Sequence, residues 1–187
     1  MGDLVDIERT DRLFVGAAID SEARHALAHV LAVSGVQLVG KPVPPESWHV
    51  TLRFLGSTSA PLRDQFMHEL DETITVAPFR LRLRSLGSFP RSDKATVLWI
   101  GADGGDALPI LGAQCEAAAE AVGFEPEGRP FVPHLTLSRL RPQADVRELV
   151  GIEVPAVRTT IDRITLFRST IGDNAPEYEV VDEIKLA

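Results

Sequence analysis

The chain of 187 residues is short of several things, and each shortage excludes a class of protein. It has one cysteine, Cys115, so neither an intramolecular disulfide nor a multi-cysteine zinc cage can be built. No apolar run approaches the roughly 18 residues that a membrane-crossing helix needs. Residues 1–11 lack the basic and apolar regions of a secretory signal, and Asp6 stands where a myristoylation motif requires Ser or Thr. Cytoplasm is therefore the expected address. Positive charge is scarce as well: 19 Lys and Arg face 27 Asp and Glu, for a net charge of −8. That balance speaks against a large polyanion-binding surface. The acidic excess is nevertheless terminal. Residues 1–11 carry four acids against Arg9, and residues 173–187 carry five against Lys185, which leaves the body of the chain almost neutral. A small site for one phosphate and a few nucleotides remains compatible with that body.

What is present is a mixture of strand and helix patterns. Strands are expected at Arg12–Ile19, Trp48–Leu55, Phe79–Leu86, Ala95–Ile100, Phe131–Leu140, Thr160–Phe167 and Tyr178–Ile184. Helices are expected at Ser21–Val33, Pro61–Ile74 and Ala107–Val122, with a short one at Ala144–Val150. Lys41–Pro45 reads as a proline-rich connector, and Gly123–Pro130 as a loop with the composition of a mobile segment. The order lacks the regular alternation of a doubly wound fold, which points to α+β with antiparallel sheet and helices on the outer faces.

The most informative feature is an internal echo. Trp48-His49-Val50-Thr51-Leu52-Arg53-Phe54-Leu55-Gly56 and Pro133-His134-Leu135-Thr136-Leu137-Ser138-Arg139-Leu140 share His-x-Thr-Leu, 85 residues apart. In a strand, His49, Thr51 and Arg53 fall on one face and Val50, Leu52 and Phe54 on the other. The second copy puts His134, Thr136 and Ser138 opposite Leu135 and Leu137, which sends Arg139 to the apolar face unless the strand bulges. Each copy thus presents an imidazole and a hydroxyl backed by an apolar face. Two such halves suggest lobes related by a pseudo-twofold axis, with the polar faces meeting across a cleft.

Two imidazoles can act as an acid–base pair, because histidine titrates near neutrality. Threonine hydroxyls can hold non-bridging phosphate oxygens. Neither copy contains the carboxylates of a Mg²⁺ site or a third ligand for zinc. Metal-free attack on an activated phosphodiester suits the arrangement best. The other histidines, His25, His29 and His68, sit in helical patterns and read as structural, as does Cys115 among alanines. Trp48 and Phe131 flank the motifs and read first as packing residues, with stacking on a base as the other reading. The Arg80/Arg82/Arg84 alternation reads first as a solvated sheet face, with RNA contact as the sharper reading.

These residues carry a family resemblance. The chain resembles the 2H phosphoesterase superfamily, named for two His-x-Thr motifs, and within it the RNA 2′,3′-cyclic phosphodiesterases, also called 2′-5′ RNA ligases. Arg12-Leu13-Phe14-Val15, Leu52-Arg53-Phe54-Leu55-Gly56, Phe131-x-Pro133-His134-Leu135-Thr136-Leu137-x-Arg139, Leu166-Phe167-Arg168-Ser169 and Pro176-x-Tyr178 extend it from Arg12 to Leu186. Arg53 replaces a commoner Lys, Asn174-Ala175-Pro176 replaces Gly-Pro, and residues 1–11 form an acidic extension. The resemblance implies one bilobal α+β domain over residues 1–187, with two pseudo-twofold-related antiparallel sheets and a central active-site cleft. It implies hydrolysis of RNA 2′,3′-cyclic phosphate ends to 2′-phosphomonoesters, without metal, ATP or other cofactor, and ligation to a 2′-5′ bond as the reverse step. His49 would be the proton donor and His134 the proton acceptor, with Thr51, Thr136 and Arg139 binding substrate. The expected partner is RNA ending in a cyclic phosphate, with no membrane and no obligate protein, the chain being a monomer. Two other readings stay open: a relative acting on a small cyclic nucleotide or an ADP-ribose cyclic phosphate, and a non-catalytic nucleotide- or RNA-binding module.

Overall fold

The computed structural model describes residues 10–171 and 176–187. The acidic leader, up to residue 9, and the Asn174-Ala175 replacement lie outside these residues. Nine strands and three α-helices follow one another among the described residues as β1 (Thr10–Ala18), α1 (Ser21–Val33), β2 (Lys41–Pro42), β3 (His49–Ser59), α2 (Ala60–Thr73), β4 (Phe79–Phe89), β5 (Ala95–Asp103), α3 (Ala107–Ala121), β6 (His134–Ala144), β7 (Glu153–Ile161), β8 (Arg163–Ile171) and β9 (Pro176–Lys185). A single 3₁₀ turn, Pro45–Ser47, precedes β3.

The strands pair antiparallel in the order β7-β4-β5-β6-β3-β1-β8-β9, with β2 added to β6. The path divides into two four-stranded halves, β7-β4-β5-β6 and β3-β1-β8-β9, joined at the one pair Val50↔Leu135. The motif-bearing strands β3 and β6 are therefore the inner strands of the two halves, where the expected cleft lies. The units β1-α1-β3 and β5-α3-β6 are equivalent, which is the pseudo-twofold relation expected from the echo.

Each unit's helix covers the opposite half. α1 packs against β7 and α3 against β3, so one continuous core runs beneath both halves. α1 buries Ala23, Leu27 and Leu31 along one stripe. Its N-cap is Asp20, whose Oδ1 accepts from the Ala23 N–H at 2.7 Å and whose Oδ2 accepts from the Thr159 hydroxyl of β7 at 2.6 Å. One carboxylate thus caps the helix and ties the two halves together. The Ala23 N–H bond, then the Thr159 hydroxyl bond, holds its pKa below the ordinary value.

The observed elements depart from expectation in several places, among them Lys41–Pro42 of the expected connector, which pairs with β6 as β2, and β6 itself, which begins at His134 rather than Phe131. Thr160–Phe167 is not one strand but the meeting of β7 and β8 at Asp162. The helix expected at Ala144–Val150 is a turn, with the Asp145 carboxylate accepting from the Arg147 N–H at 3.1 Å and Gly151 closing it at φ +85°. The loop that follows α3 touches both β3 and α3. The Glu125 carbonyl accepts from Arg53, and the Glu127 N–H donates to Glu116 at 2.7 Å.

Candidate active site

His49 and His134 are each the first residue of their strand, preceded by a proline-containing approach. That approach turns a carbonyl back onto each ring. His49 Nδ1 bonds the Ser47 carbonyl at 2.8 Å, and His134 Nδ1 bonds the Val132 carbonyl at 2.6 Å. Because a carbonyl can only accept, both Nδ1 atoms carry hydrogen, and both Nε2 atoms are left with a free lone pair while the rings are neutral. The Thr51 hydroxyl lies 3.1 Å from His49 Nε2, donating to it while the ring is neutral.

The face these side chains share follows from strand register. Gly101 pairs with His134 and Trp99 with Thr136, while Ala18 pairs with His49 and Gly16 with Thr51. Directly opposed residues point the same way, so both His-x-Thr pairs line the sheet face away from the helices. Val50, Leu52, Leu135 and Leu137 are buried on the other side.

The alternation does not run on unbroken. In β3 the register against β1 slips between Thr51 and Arg53, and in β6 the register against β5 slips between Thr136 and Ser138. Leu52 and Leu137 are the extra residues of two equivalent bulges. This corrects the expectation that Arg53 shares the His49 face and Ser138 the His134 face. Arg53 is 7% exposed and turned to the helices, where it pairs with Glu116 of α3 at 2.5 Å and donates to the Phe54 and Glu125 carbonyls. Ser138 is buried and donates to the Val39 carbonyl at 2.7 Å. The residues after them, Phe54 and Arg139, emerge exposed. The Arg139 charge reaches both imidazoles. The bulge therefore brings Arg139 to the cleft, the condition under which it could serve there.

Aromatic rings wall the cleft. His49 lies among Phe14, Tyr178 and Phe167, with ring centroids at 4.8, 5.2 and 5.5 Å. His134 has Phe89 edge-on at 4.9 Å and Trp99 at 5.9 Å. Two glycines make the room. A Cβ on Gly87 would stand 2.1 Å from the Trp99 ring, and one on Gly16 would stand 3.0 Å from the Val50 carbonyl and 3.2 Å from His49. Apart from Phe14, Phe167 and Tyr178, which lie in resemblance segments, these walls carry no sequence signal, because they converge from five strands.

The walls set the electrostatics. Burial drives the His49 pKa down to about 4, with Arg139 and His134 repulsion adding to it against the Ser47 bond. His134 is lowered too, by burial first and then Arg139. With no anion in the cleft both rings are neutral at pH 7, and the site favours an incoming negative charge. Cys115 is buried on α3, with burial raising its pKa to about 12, so it is inert. Trp48 is buried in the core, and Phe131 rests on Gly112 of α3. His25, His29 and His68 are exposed on α1 and α2, away from the cleft. Among the described residues no three His, Cys, Asp or Glu side chains converge as a metal site, and no helix is long and apolar enough to cross a membrane.

A family model described as the 2′-5′ RNA ligase superfamily matches residues 14–173. The chain belongs to this superfamily. Among its relatives in the 2′-5′ RNA ligase superfamily, the RNA 2′,3′-cyclic phosphodiesterase of Aeropyrum pernix is 34% identical over 172 residues, 88% of this chain and 93% of that one. Its Escherichia coli namesake is 29% identical over 170 residues, 89% and 92% of the two chains. The crystal structure of E. coli LigT in apo form matches with a TM-score of 0.79 at 28% identity, over 95% of this chain and 98% of that one. A crystal structure from Thermus thermophilus matches with a TM-score of 0.79 at 29% identity, over 94% and 97%. The α+β, two-half architecture is that of the 2H phosphoesterases in this superfamily.

Proposed function

We propose that the protein hydrolyses RNA 2′,3′-cyclic phosphate ends to 2′-phosphomonoesters, with His49 and His134 as the acid–base pair. The observation that carries this is the twinned imidazole: two Nδ1 atoms bonded to carbonyls, two Nε2 atoms on one cleft face, each with a threonine two residues on. The names of the relatives, RNA 2′,3′-cyclic phosphodiesterase, supply the substrate class.

His134 Nε2 takes a proton from water as the water oxygen bonds to phosphorus, and the P–O3′ bond breaks. His49 Nε2–H gives its proton to the departing O3′, leaving the phosphate on O2′. Thr51, Thr136 and Arg139 hold the non-bridging oxygens. Burial opposes the protonated His49 that this step needs. The substrate supplies the correction: a phosphate anion beside both rings offsets Arg139 and raises both pKa values. On this reading the acid is charged by its own substrate. Ligation is the same path reversed, with a 5′-hydroxyl in place of water. Acid and base are both side chains, so no metal or nucleotide cofactor is needed.

Product analysis tests this with a nucleoside 2′,3′-cyclic phosphate and an oligoribonucleotide ending in one, both in EDTA. A 2′-phosphate product, lost in His49→Ala and His134→Ala, is expected. Loss of activity in EDTA with rescue by a divalent ion would overturn the metal-free mechanism. Turnover of neither substrate with nucleotide binding intact would favour a binding module, and turnover of the mononucleotide alone a small-molecule enzyme.

A further inference from the structure

The cleft face does not end at His134. Residues 99, 101 and 103 of β5 alternate onto it with Thr136 and His134, while Ile100 and Ala102 point to the core. Asp103 pairs with Arg82 of β4, and Arg82 pairs with Arg158 of β7, so these three lie in one row on the same face. Arg80 is two residues along β4 from Arg82, and the Arg84 charge acts on Asp103. Thr159, next to Arg158, points the opposite way and bonds Asp20 of α1, which puts Arg158 on the face away from the helices. Arg80, Arg82, Arg158, Asp103, Gly104 and Gly105 enclose a shallow recess of about 380 Å³.

Charge on these three strands is lopsided in a chain that is acidic overall. β7, β4 and β5 carry four arginines, Arg80, Arg82, Arg84 and Arg158, against Asp103 and Glu153. Asp103 is partnered by Arg82 at 2.5 Å, and Glu153 accepts from Ser85 at 3.2 Å. Arg80 and Arg158 are exposed. β4 lies two strands from β6, about 10 Å at ordinary strand spacing, and Gly101 leaves the intervening position bare. The phosphates of a single strand leading away from His134 can span that interval.

We propose that Arg80, Arg82, Arg84 and Arg158 form a track for the backbone phosphates of the nucleotides preceding the cyclic end, making the substrate an oligoribonucleotide rather than a mononucleotide. This rests on the hydrolase reading above. Arginine in a shallow open groove reads phosphate charge without reading base identity, so the track is tolerant of sequence.

The test compares the wild type, Arg80→Ala/Arg158→Ala and Arg80→Lys/Arg158→Lys, with thermal melts confirming that each folds. For each protein, kcat/KM on an oligoribonucleotide 2′,3′-cyclic phosphate is divided by the same protein's value on a nucleoside 2′,3′-cyclic phosphate. The wild-type ratio should exceed one, fall about tenfold in the alanine variant and largely return in the lysine variant. Equal ratios in the wild type and the alanine variant would overturn the track. In parallel, fluorescence anisotropy follows binding of a labelled oligoribonucleotide at rising salt. Two lost phosphate contacts should lower the slope of log Kd against log salt by about 1.4, at about 0.7 per single-strand phosphate. A slope change without hydrolysis of either substrate would sink the hydrolase reading and leave the track standing. An unchanged slope would sink the track whatever the enzyme hydrolyses.

Discussion

His49 and His134 each open a strand, each bond through Nδ1 to the carbonyl two residues earlier, and each share a strand face with the threonine two residues on, yet their surroundings differ. His49 is enclosed by three aromatic rings, whereas His134 meets two. One step past the bulge, the first half has Arg53 clamped to Glu116 and the second has Ser138 bonded to a single carbonyl. One step further, Phe54 in the first half corresponds to Arg139 in the second. The shared His-x-Thr-Leu thus sets the two imidazoles alike in both halves, while unlike neighbours give the two rings unlike proton affinities. In the free protein this asymmetry runs against the proposed roles, because His49, the proposed proton donor, is the ring pushed down to about 4, so the bound phosphate has to charge it.

The comparison breaks most sharply at the rings. His49→Ala and His134→Ala should each lower kcat by roughly 10²–10⁴-fold, the usual worth of a positioned acid or base. A loss confined to one variant in single-turnover assays would mean that the halves do not work as a pair. The next largest effect falls on stability. Arg53→Ala leaves the Phe54 and Glu125 carbonyls without this donor and the partly buried Glu116 with only the Glu127 N–H, and should cost about 3 kcal/mol, seen as a lower denaturation midpoint. Its twin, Ser138→Ala, should cost only about 1 kcal/mol in the same experiment.

Titration sharpens the comparison further. In the free protein the His49 imidazole should titrate near pH 4 by NMR, and His134 below its ordinary 6.5. The limbs of kcat/KM should then both lie on the acid side of 6.5, while those of kcat move up once phosphate is bound. The linked effect on stability has a definite sign. Unfolded imidazoles take up protons below about 6.5 while the folded ones do not. Stability is therefore fully present above that pH and falls as pH drops toward 4. A fall in melting temperature from pH 7 to pH 5 as large in His49→Ala as in wild type would contradict a buried, neutral His49. Arg139→Gln should produce the smallest of these shifts, raising both histidine pKa values because its charge depresses both. A histidine titration unmoved by this change would place Arg139 outside the cleft.

Much of this is legible before folding, because it is local. α1 spans Ser21–Val33 as expected, capped at its start by Asp20 and followed by Gly35 at φ +66°. His-x-Thr-Leu alternation separates polar face from core face within four residues. β7 is not legible, since Pro155 interrupts its pattern. It exists as an edge strand, where a missing backbone donor is tolerated. The turn after β6 departs from the expected helix because Arg147-Glu148-Leu149-Val150 suits a helix, while the Asp145 side chain and Gly151 hold it to one turn.

The amino-acid sequence by itself singled out the paired His-x-Thr groups, for a two-residue period and a repeated motif need no knowledge of the rest of the chain. Tertiary structure alone decided which neighbours those groups acquired. Bulges at Leu52 and Leu137 arise from pairing with β1 and β5, and they send Arg53 inward and Arg139 to the cleft. Likewise the row Asp103-Arg82-Arg158 exists only through register between strands that are distant in the chain. One residue of slip on any of those strands would turn its charge from the cleft to the core, and no local pattern records that choice.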